Sequence, residues 1–352
     1  MKGLVLSGGT GTRLRPFTYA MPKQLVPIAN KPVLEYVIER VRDMGVAEIG
    51  VIVGSWSDAI VDVLGDGDRL GVSLTYIRQE TPAGLADCVA ISEDFLAEDD
   101  FVMYLGDCML GEEVVAEAEN FRQHRPDVHV VVSEVADPTG LGVVELAAGG
   151  TVIGLQEKPA RPRSNLVLTG VYFFSPSVHR AVRSISPSAR GELEITDAIQ
   201  WMLDNGFEVR AGRFTGMYVD TGRVDDLLAC NRLLLADLRH AVHGRVDSAS
   251  ELLGPVVVEA GATVHRSRLV GPVMIAAGCV IEDSTIGPDT VVGPDGVIRE
   301  SAVRDCIVMA GARITESRDL QHSVIGRSAV VTGGSRQHSL IIGDECRVEV
   351  AV

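Results

Sequence analysis

A glycine-rich segment near the start of the chain contains the residue types that bind polyphosphates. The run Leu6-Ser7-Gly8-Gly9-Thr10-Gly11-Thr12-Arg13 directly follows a short apolar stretch that we predict to be a strand. Glycines let a backbone approach phosphate closely and point successive N–H groups at it. Arg13 and, ten residues later, Lys23 add two cations. This combination predicts a phosphate cradle, and two cations suit a triphosphate better than a dinucleotide.

Other glycine motifs fit this segment less well. A P-loop requires Gly-Lys-Ser/Thr after four spacer residues, and no such sequence follows. A dinucleotide-binding fingerprint requires a third glycine where Leu14 stands. A plain strand-to-helix turn would leave Arg13 and Lys23 without a role.

Two aspartates stand at similar places in the predicted fold. Asp107 follows the apolar run 100–105, and Asp220 precedes a Thr-Gly turn. Ligands of open α/β sheets bind at the carboxyl ends of the strands. Each aspartate taken alone could equally be an ordinary turn residue.

The elements that must position these residues alternate between strand and helix. The apolar spacing predicts strands over 4–6, 48–53, 74–77, 100–105, 128–135 and 166–174, and helices over 32–44, 58–64, 82–92, 194–204 and 224–237. Such alternation is typical of an α/β fold, here a Rossmann-like, mostly parallel sheet with helices on both faces.

The pattern changes after Gly254, where helical periodicity disappears. Three interleaved sets of apolar residues each recur about every 17 residues, accompanied by serines at 267, 284, 301 and 317. The sets are Val258, Ile275, Val292, Met309, Ile325 and Ile342; Val264, Ile281, Ile298, Ile314, Val331 and Val348; and Leu269, Ile286, Val303 and Leu320. Because an ordinary β-sandwich needs no shared period, this pattern predicts a parallel β-helix of around five coils. We therefore expect a catalytic domain over 1–242 and a β-helix over 243–352.

Composition narrows the range of partners. The formal net charge is −16, so nucleic acid and anionic membranes are not expected as partners. The six cysteines form no C-x-x-C pair, which favours reduced thiols in a cytoplasmic protein over a zinc or redox site. The N-terminus has no signal-peptide pattern, and no apolar run approaches the ~20 residues of a membrane helix.

The run from Lys2 to Ile38 resembles the sugar nucleotidyltransferase family, in particular the glucose-1-phosphate thymidylyltransferases. The fuller resemblance is to the long form of these enzymes, which ends in a left-handed β-helix, and it covers essentially the whole chain. It implies transfer of a nucleoside monophosphate from a nucleoside triphosphate, most simply dTTP, to a sugar 1-phosphate, most simply glucose 1-phosphate. The products would be dTDP-glucose and pyrophosphate, and the cofactor would be Mg²⁺.

The resemblance also implies a role for each matching residue. Those implied to bind the nucleotide are Leu6, Gly8, Gly9, Gly11, Thr12, Gln24, Gln79 and Gly84. Those implied to bind the sugar phosphate are Gly142, Glu157, Lys158 and Val171, with the segment 191–197 shaping that side of the cleft. Asp107 and Asp220 would hold the metal, and Arg13, Lys23 and Lys158 would act in catalysis. The implied reaction is a direct in-line displacement with no side-chain nucleophile.

Two positions depart from the family pattern. Cys108 stands where relatives usually have Asn, and Tyr218 where they usually have Trp. The same chemistry on another sugar or a cyclitol phosphate, with UTP or GTP, therefore stays open.

Two further alternatives are a non-catalytic sugar-nucleotide sensor and a bifunctional acyltransferase. The acyltransferase would need a base such as His265, His322 or His338 in the β-helix. The family also favours a homo-oligomer, a dimer or a tetramer.

Overall fold

The computed structural model describes residues 1–9, 11–148 and 150–351, so Thr10 of the glycine-rich run lies outside the described residues. The described residues form two compact units. The first, here called the sheet unit, comprises residues 1–9 and 34–220. The second, here called the β-helix unit, comprises residues 10–33 and 221–352.

The elements follow in chain order. The strands up to residue 220 are β1 Lys2–Leu6, β2 Pro27–Ile28, β3 Lys31–Pro32, β4 Glu48–Val53, β5 Ser73–Arg78, β6 Phe101–Leu105, β7 Cys108–Leu110, β8 Val128–Glu134, β9 Val143–Leu146, β10 Val152–Gln156, β11 Leu166–Phe174, β12 Val209–Arg213 and β13 Tyr218–Asp220. The helices are α1 Val33–Asp43, α2 Ser57–Leu64, α3 Leu85–Ile91, α4 Glu93–Leu96, α5 Val115–His124, α6 Val178–Val182, α7 Ile195–Asp204 and α8 Val224–Ala236. The later strands are β14 Ala241–Val242, β15 Arg245–Val246, β16 Glu251–Leu253, β17 Val256–Val258, β18 Thr263–His265, β19 Arg268–Val270, β20 Val273–Ile275, β21 Val280–Glu282, β22 Thr285–Ile286, β23 Thr290–Val292, β24 Val297–Arg299, β25 Ala302–Val308, β26 Arg313–Thr315, β27 Leu320–Ile325, β28 Val330–Gly333, β29 Ile341–Ile342 and β30 Arg347–Val350.

The sheet unit is built on one sheet with the order β10-β9-β11-β6-β1-β4-β5, which β8 and β12 extend from β11. Strands β6, β1, β4 and β5 pair in parallel, whereas β11 runs antiparallel to β6 and β8. The central parallel strands β1, β4 and β6 are nearly continuous apolar runs because both of their faces are covered, and in β4 only Glu48 is exposed. The edge strand β5 alternates between exposed and half-buried residues along most of its length. The α/β class expected from the sequence is confirmed.

The predicted elements differ from the structure mainly at their starts. The helix expected over 82–92 begins at Leu85, because Gly84 has φ 109° and its backbone is not helical. Pro32, expected in the first turn of α1, instead ends the short strand β3. Among the described residues, no helix is both long enough and apolar enough to span a bilayer.

The β-helix unit stacks its short strands in parallel on three faces. One face runs β14-β17-β20-β23-β25-β27-β29, and a second runs β15-β18-β21-β24-β26-β28-β30. The third face contains β16, β19, β22 and the first halves of β25 and β27. The parallel β-helix expected from the sequence is therefore confirmed.

The apolar sets stack as expected with one exception. Val264, Ile281 and Ile298 occupy the same register in successive coils. In the first set, however, Val292 pairs with Val308 and not with Met309, so the assignment of Met309 is wrong. The physical reason is a coil one residue shorter than the others, which also appears as a 16-residue step between Ser301 and Ser317.

Serines join the coils along one corner of the β-helix. The Oγ of Ser267 accepts a hydrogen bond from the N–H of Ser284 (3.0 Å), and Ser284 and Ser301 repeat this with the next serine in turn (3.1 Å each). This ladder satisfies buried backbone groups at each corner and explains why the serines keep the period of the apolar sets.

Candidate active site

The glycine-rich loop begins where β1 ends. The carbonyl of Leu6 accepts a hydrogen bond from the N–H of Gly106 (2.9 Å), and Ser7 bonds to the carbonyl of Ile52 through both its N–H and its Oγ (3.0 and 2.6 Å). Gly8 and Gly9 therefore lie at the edge of the sheet where the carboxyl ends of β1, β4 and β6 meet, and α/β sheets bind ligands at this edge. A Cβ on Gly8 would lie 3.3 Å from Oε1 of Gln79, so the loop and this glutamine are neighbours.

Gln79 lies at the end of β5 and is almost completely buried. Its Nε2 donates a hydrogen bond to Oδ2 of Asp87 (2.7 Å), which fixes the orientation of the carboxamide. A Cβ on Gly84 would lie 2.3 Å from the carbonyl oxygen of Leu193, and φ at Gly84 is 109°, so only glycine fits there. Sequence analysis missed Asp87, although it lies in the first turn of α3, three residues after Gly84.

Asp107 and Asp220 are brought together by a two-stranded antiparallel sheet. In the pairing of β7 with β13, Asp220 lies opposite Cys108, the residue directly after Asp107. Burial is the largest cause that raises the pKa of Tyr218, and nearby Cys108, Asp220 and Asp107 raise it further. The two carboxylates expected from the sequence to share a metal therefore belong to one local cluster.

This cluster fits a hard divalent cation of the Mg²⁺ type. Carboxylate oxygens are the ligands such ions prefer, and one or two protein carboxylates suffice when phosphates and water complete the shell. Within the described part of the chain, no group of three or more His, Cys, Asp or Glu side chains could hold a metal by itself. The donor set here thus matches a metal shared with a phosphorylated substrate better than a metal in a closed structural site.

A second cluster of the sheet unit surrounds Glu157. Its Oε2 accepts a hydrogen bond from Oγ1 of Thr196 (3.2 Å), and its Oε1 lies 3.3 Å from Nζ of Lys158 and 3.5 Å from Nη2 of Arg190. Arg190 is held in turn by Glu194, with two bonds of 2.8 Å. Sequence analysis missed Arg190 because the motif it singled out begins one residue later.

Gly142 lies against this cluster, whereas Val171 lies in the core. A Cβ on Gly142 would lie 2.9 Å from Cδ1 of Leu168 and 3.4 Å from Oε2 of Glu157. Val171 is fully buried in β11 opposite Tyr104, so its side chain packs within the sheet unit.

Cys108 and Tyr218, the two residues that depart from the family pattern, are neighbours of Tyr172. Burial and then the charge of Glu157 raise the pKa of Tyr172, and Cys108 contributes to the same shift. Gly170 has φ 88°, and a Cβ there would lie 2.9 Å from Sγ of Cys108. The thiol is thus buried directly against Gly170, in the electrostatic neighbourhood of Tyr172 and Tyr218.

The remaining predicted residues belong to the β-helix unit. Gly11 has φ 63°, and a Cβ there would lie 2.9 Å from both Cβ of Lys23 and Cγ2 of Thr18. Oγ1 of Thr18 donates a hydrogen bond to the carbonyl of Gly11 (2.8 Å). The backbone at Gly11 therefore packs directly against the side chain of Lys23.

Thr12 and Arg13 are exposed, whereas Gln24 is only 1% exposed. Among the described residues, Oε1 of Gln24 is buried without a hydrogen-bond partner, and a buried acceptor of this kind calls for a ligand or a water. Burial raises the pKa of Asp226 in the first turn of α8, and the charges of Arg223 and Arg13 oppose this rise. Asp226, which sequence analysis did not name, is thus an acidic neighbour of Arg13.

Comparison with known proteins identifies the family of this chain. The nucleotidyl transferase family model matches residues 2–237. The chain is 48% identical over 354 residues to the glucose-1-phosphate thymidylyltransferase of Streptomyces griseus, covering 100% of both chains. It is 45% identical to the enzyme of the same name from Streptomyces antibioticus, covering 99% of both.

A solved structure from Bacillus anthracis, proposed to be a glucose-1-phosphate thymidylyltransferase and in complex with a sucrose, has a TM-score of 0.63 and 32% identity. It matches 68% of this chain and 97% of its own. The matched motifs, the shared fold and the full-length similarity lead to one conclusion: the chain belongs to the nucleotidyl transferase family.

Proposed function

We propose that this enzyme is a glucose-1-phosphate thymidylyltransferase, which converts dTTP and glucose 1-phosphate into dTDP-glucose and pyrophosphate. The observation that carries the proposal is the antiparallel pairing of β7 with β13, which brings Asp107 and Asp220 into one cluster. The full-length similarity to two Streptomyces enzymes of that name supports the choice of substrates.

In the proposed reaction, an oxygen of the sugar phosphate attacks the α-phosphorus of the triphosphate. The bond from the α-phosphorus to the bridging oxygen of the β-phosphate breaks, and pyrophosphate leaves with that electron pair. The attacking phosphate is already an anion, so the protein needs no nucleophile or general base. Catalysis must then come from positioning and from neutralising charge.

Three cationic side chains have a part in this proposal. Arg13 neutralises the departing pyrophosphate, and Lys23 stabilises charge on the α-phosphate. Lys158 reduces repulsion between the two anionic substrates, and its Nζ lies 3.3 Å from Oε1 of Glu157. Glu157 accepts hydrogen bonds from sugar hydroxyls, while Arg190 and Thr196 hold its carboxylate in place.

The nucleotide is proposed to lie along the glycine-rich loop. Leu6, Gly8, Gly9, Gly11 and Thr12 offer backbone groups to the phosphates. Gln79 presents its Oε1 acceptor to the base edge, because its Nε2 already donates to Oδ2 of Asp87 and to the carbonyl of Gly84. Gly84 lets the base approach the backbone, and Gln24 supplies a buried acceptor. Asp107 and Asp220 would hold Mg²⁺, which when bound withdraws charge from the α-phosphate.

An alternative substrate is favoured by one specific observation. Cys108 is buried against Gly170, and a thiol cannot offer the donor and acceptor of a carboxamide. The same chemistry on another sugar or a cyclitol phosphate, with UTP or GTP, is therefore the second candidate. Selection between dTTP and UTP depends on one methyl group, worth about 1–3 kcal/mol.

Three broader expectations belong to the same proposal. They are a functional division at 242/243, a homo-oligomer, and a cytoplasmic location. The last is supported by six cysteines that are all free thiols, five of them buried.

Pyrophosphate release with Mg²⁺ tests the proposed function, with dTTP, UTP, GTP and ATP crossed against glucose 1-phosphate and several other sugar and cyclitol phosphates. Strong release with dTTP and glucose 1-phosphate is the expected result. Release only with another sugar or cyclitol phosphate would move the specificity to the second candidate. If no combination released pyrophosphate, the catalytic proposal would be wrong, and a non-catalytic sugar-nucleotide sensor would be favoured.

A further inference from the structure

A fully buried asparagine in α8 links two distant parts of the β-helix unit. Asn231 is 0% exposed. Its Oδ1 accepts a hydrogen bond from the N–H of Ala29, and its Nδ2 donates one to the carbonyl of Asp289, both at 3.0 Å. A buried carboxamide is unfavourable unless it is hydrogen-bonded. Both ends of this carboxamide form hydrogen bonds, and together they join the segment 11–33 to the β-helix.

The group that Asn231 holds is a strained turn. Ala29 and Asn30 have φ values of 47° and 62° and form the two-residue tip of the hairpin β2–β3. Asn tolerates this left-handed region, but Ala does not favour it. Nδ2 of Asn30 donates a second hydrogen bond to the β-helix, to the carbonyl of Val292 (3.2 Å). Strain of this kind persists only where the surroundings over-determine the backbone, and it clusters at functional sites.

The face of the β-helix beside this turn is itself covered. Val291, Ile307 and Val324 point outward from successive coils, yet all three are 0–1% exposed. Ile341, in the same row one coil further, is 53% exposed. Helix α8 packs against β25 and β27, which carry Ile307 and Val324, and also against β2 of the hairpin. This helix therefore joins the hairpin to the covered face of the β-helix.

The same segment is also attached to later coils. Nη2 of Arg327 donates a hydrogen bond to the carbonyl of Ala20 (3.3 Å). A Cβ on Gly343 would lie 3.1 Å from Cβ of Pro16, so the last coils touch the segment closely. The segment 11–33 is therefore attached to the β-helix at several points, of which Asn231 is the most buried.

The segment contains Arg13, Lys23 and Gln24, yet it has little structure of its own. Its regular elements are three-residue 3₁₀ turns and the two-residue strands β2 and β3. Elements this short cannot fix the place of a side chain without outside contacts. Where Arg13 and Lys23 lie thus depends on the contacts of the whole segment, which include the complete burial of Leu14, Phe17 and Val26 as well as the hydrogen bonds to Asn231 and to the β-helix.

We propose that Asn231 is a positioning residue for nucleotide transfer: it locks the Ala29–Asn30 turn to the β-helix and so holds Arg13 and Lys23 in their working arrangement. This inference rests on the proposed function and deepens it, because it makes the β-helix a structural support of the triphosphate-binding segment. Asn231 touches no reacting atom in this scheme.

The test compares full-length wild type with Asn231→Ala and with Asn231→Asp, which keeps the acceptor for Ala29 but replaces the donor to the carbonyl of Asp289 with a second acceptor. A displacement of about 1 Å can reduce turnover about 100-fold. We expect N231A to lower kcat by about 10- to 100-fold and to raise KM for the triphosphate, with KM for the sugar phosphate unchanged. N231D should lower kcat at least as much as N231A, because it buries a second acceptor against the carbonyl of Asp289.

The matched control is Ser323→Ala. Ser323 is equally buried and also makes two hydrogen bonds, to the carbonyl of Gln321 (2.7 Å) and from the N–H of Leu340 (2.8 Å), but both partners lie within the β-helix. This variant should lose stability and keep its kinetics.

Hydrogen–deuterium exchange separates this proposal from the proposed function. Faster exchange of residues 11–33 in N231A and N231D, but not in S323A, is expected whether or not the substrates are assigned correctly. Unchanged exchange in that segment would overturn the proposal, as would unaltered kinetics in an active N231A. If the wild type released no pyrophosphate, the proposed function would be wrong. Hydrogen–deuterium exchange would still decide whether Asn231 anchors the segment 11–33.

Discussion

The sheet unit and the β-helix unit hold their candidate site residues by different means. In the sheet unit, Asp107 and Asp220 lie at or beside paired strands, and Leu6 ends a central strand, so the hydrogen bonds of the sheets set their places. In the β-helix unit, Arg13 and Lys23 lie in 3₁₀ turns of three residues each. Their places depend on contacts within the segment 11–33, such as that of Thr18 with Gly11, and on tertiary contacts such as that of Ala29 with Asn231.

This difference predicts how substitutions in the two units should affect activity and folding. Residues fixed by backbone pairing can lose their side-chain chemistry while the fold stays intact. Residues fixed by a few tertiary contacts can lose their function through a change that never touches a substrate.

Asp220→Asn removes a carboxylate from the sheet unit without changing its shape. Because β13 remains paired with β7, the fold should be retained, while kcat for pyrophosphate release falls by about 1,000-fold, as for the loss of a preorganised charged group. Asp66→Asn, at an exposed turn where Oδ1 accepts a bond from the N–H of Asp68 (3.1 Å), serves as the control. A D220N variant that keeps more than a tenth of wild-type kcat would contradict the role of Asp220 and weaken the contrast.

Arg13→Ala removes a cation from the segment held by the β-helix. Since Arg13 is proposed to neutralise charge that develops as pyrophosphate leaves, kcat should fall by about 100-fold with a smaller change in KM for the triphosphate. Arg15→Ala is the matched control, because Arg15 lies in the same segment but stacks on the ring of Tyr19 at 4.9 Å. Equal effects of R13A and R15A on kcat would show that charge in general, and not Arg13 itself, matters there.

Gly11→Ala tests how tightly the loop closes on Lys23. The new methyl group would lie 2.9 Å from Cβ of Lys23, and φ is 63°, a region that costs a non-glycine residue roughly 1–2 kcal/mol. We expect kcat/KM for the triphosphate to fall by about 10-fold, since Lys23 must shift. Gly140→Ala, also at positive φ (80°) but with open space around its Cβ position, should leave kcat/KM within about twofold. Similar losses in both variants would place the effect in the backbone and not in the contact with Lys23.

Local pattern was enough to predict most elements and the β-helix. Glu48–Val53 and Leu166–Phe174 match the structure residue for residue, because apolar runs between turns depend on neighbours in sequence. The assignment of Met309 was wrong because a coil shortened by one residue leaves the hydrophobic pattern almost unchanged.

The supports of the candidate site could not be predicted in the same way. Asn231 and Ala29 are 202 positions apart, and an asparagine inside a helix gives no sign of which distant backbone it will bond. Arg190 adjoins a recognised motif, but only the fold shows that it reaches Glu157. Such contacts come from long-range packing, which leaves no period in the sequence.

Ser284→Ala should separate stability from activity. Its Oγ accepts a hydrogen bond from the N–H of Ser301 (3.1 Å) and donates one to the carbonyl of Glu282 (2.6 Å), so its loss leaves a buried N–H unpaired. The expected cost is about 1–3 kcal/mol of unfolding free energy, measured by urea denaturation, with kcat and both KM values unchanged. A fall in kcat would mean that the whole ladder, and not only the coils beside Asn231, supports the segment 11–33.

The smallest predicted effect concerns a charged cluster that also joins α8 to the β-helix. Nδ1 of His322 lies 2.9 Å from Oδ2 of Asp305, its Nε2 lies 3.2 Å from Oδ1 of Asp225, and Arg232 bonds to Asp305 at 2.7 and 2.8 Å. The bond with Asp305 raises the pKa of His322, helped by Asp225 and opposed by burial and by Arg232. Burial acts to raise the pKa of Asp305, but Arg232 and His322 outweigh it and lower that pKa on balance.

These directions set the pH window. A raised pKa means that His322 stabilises the fold fully below its ordinary pKa of about 6.5 and ceases to do so as pH rises through the folded value. Asp305 contributes above its ordinary pKa of about 3.9 and ceases to do so as pH falls. The difference in unfolding free energy between wild type and His322→Gln should therefore be largest near pH 5–6 and shrink towards pH 9. The partly exposed cluster keeps it below about 1 kcal/mol. If urea denaturation gave the same difference at both pH values, the charge on His322 would not contribute to anchoring α8, and Asn231 would remain as the anchor that the contrast requires.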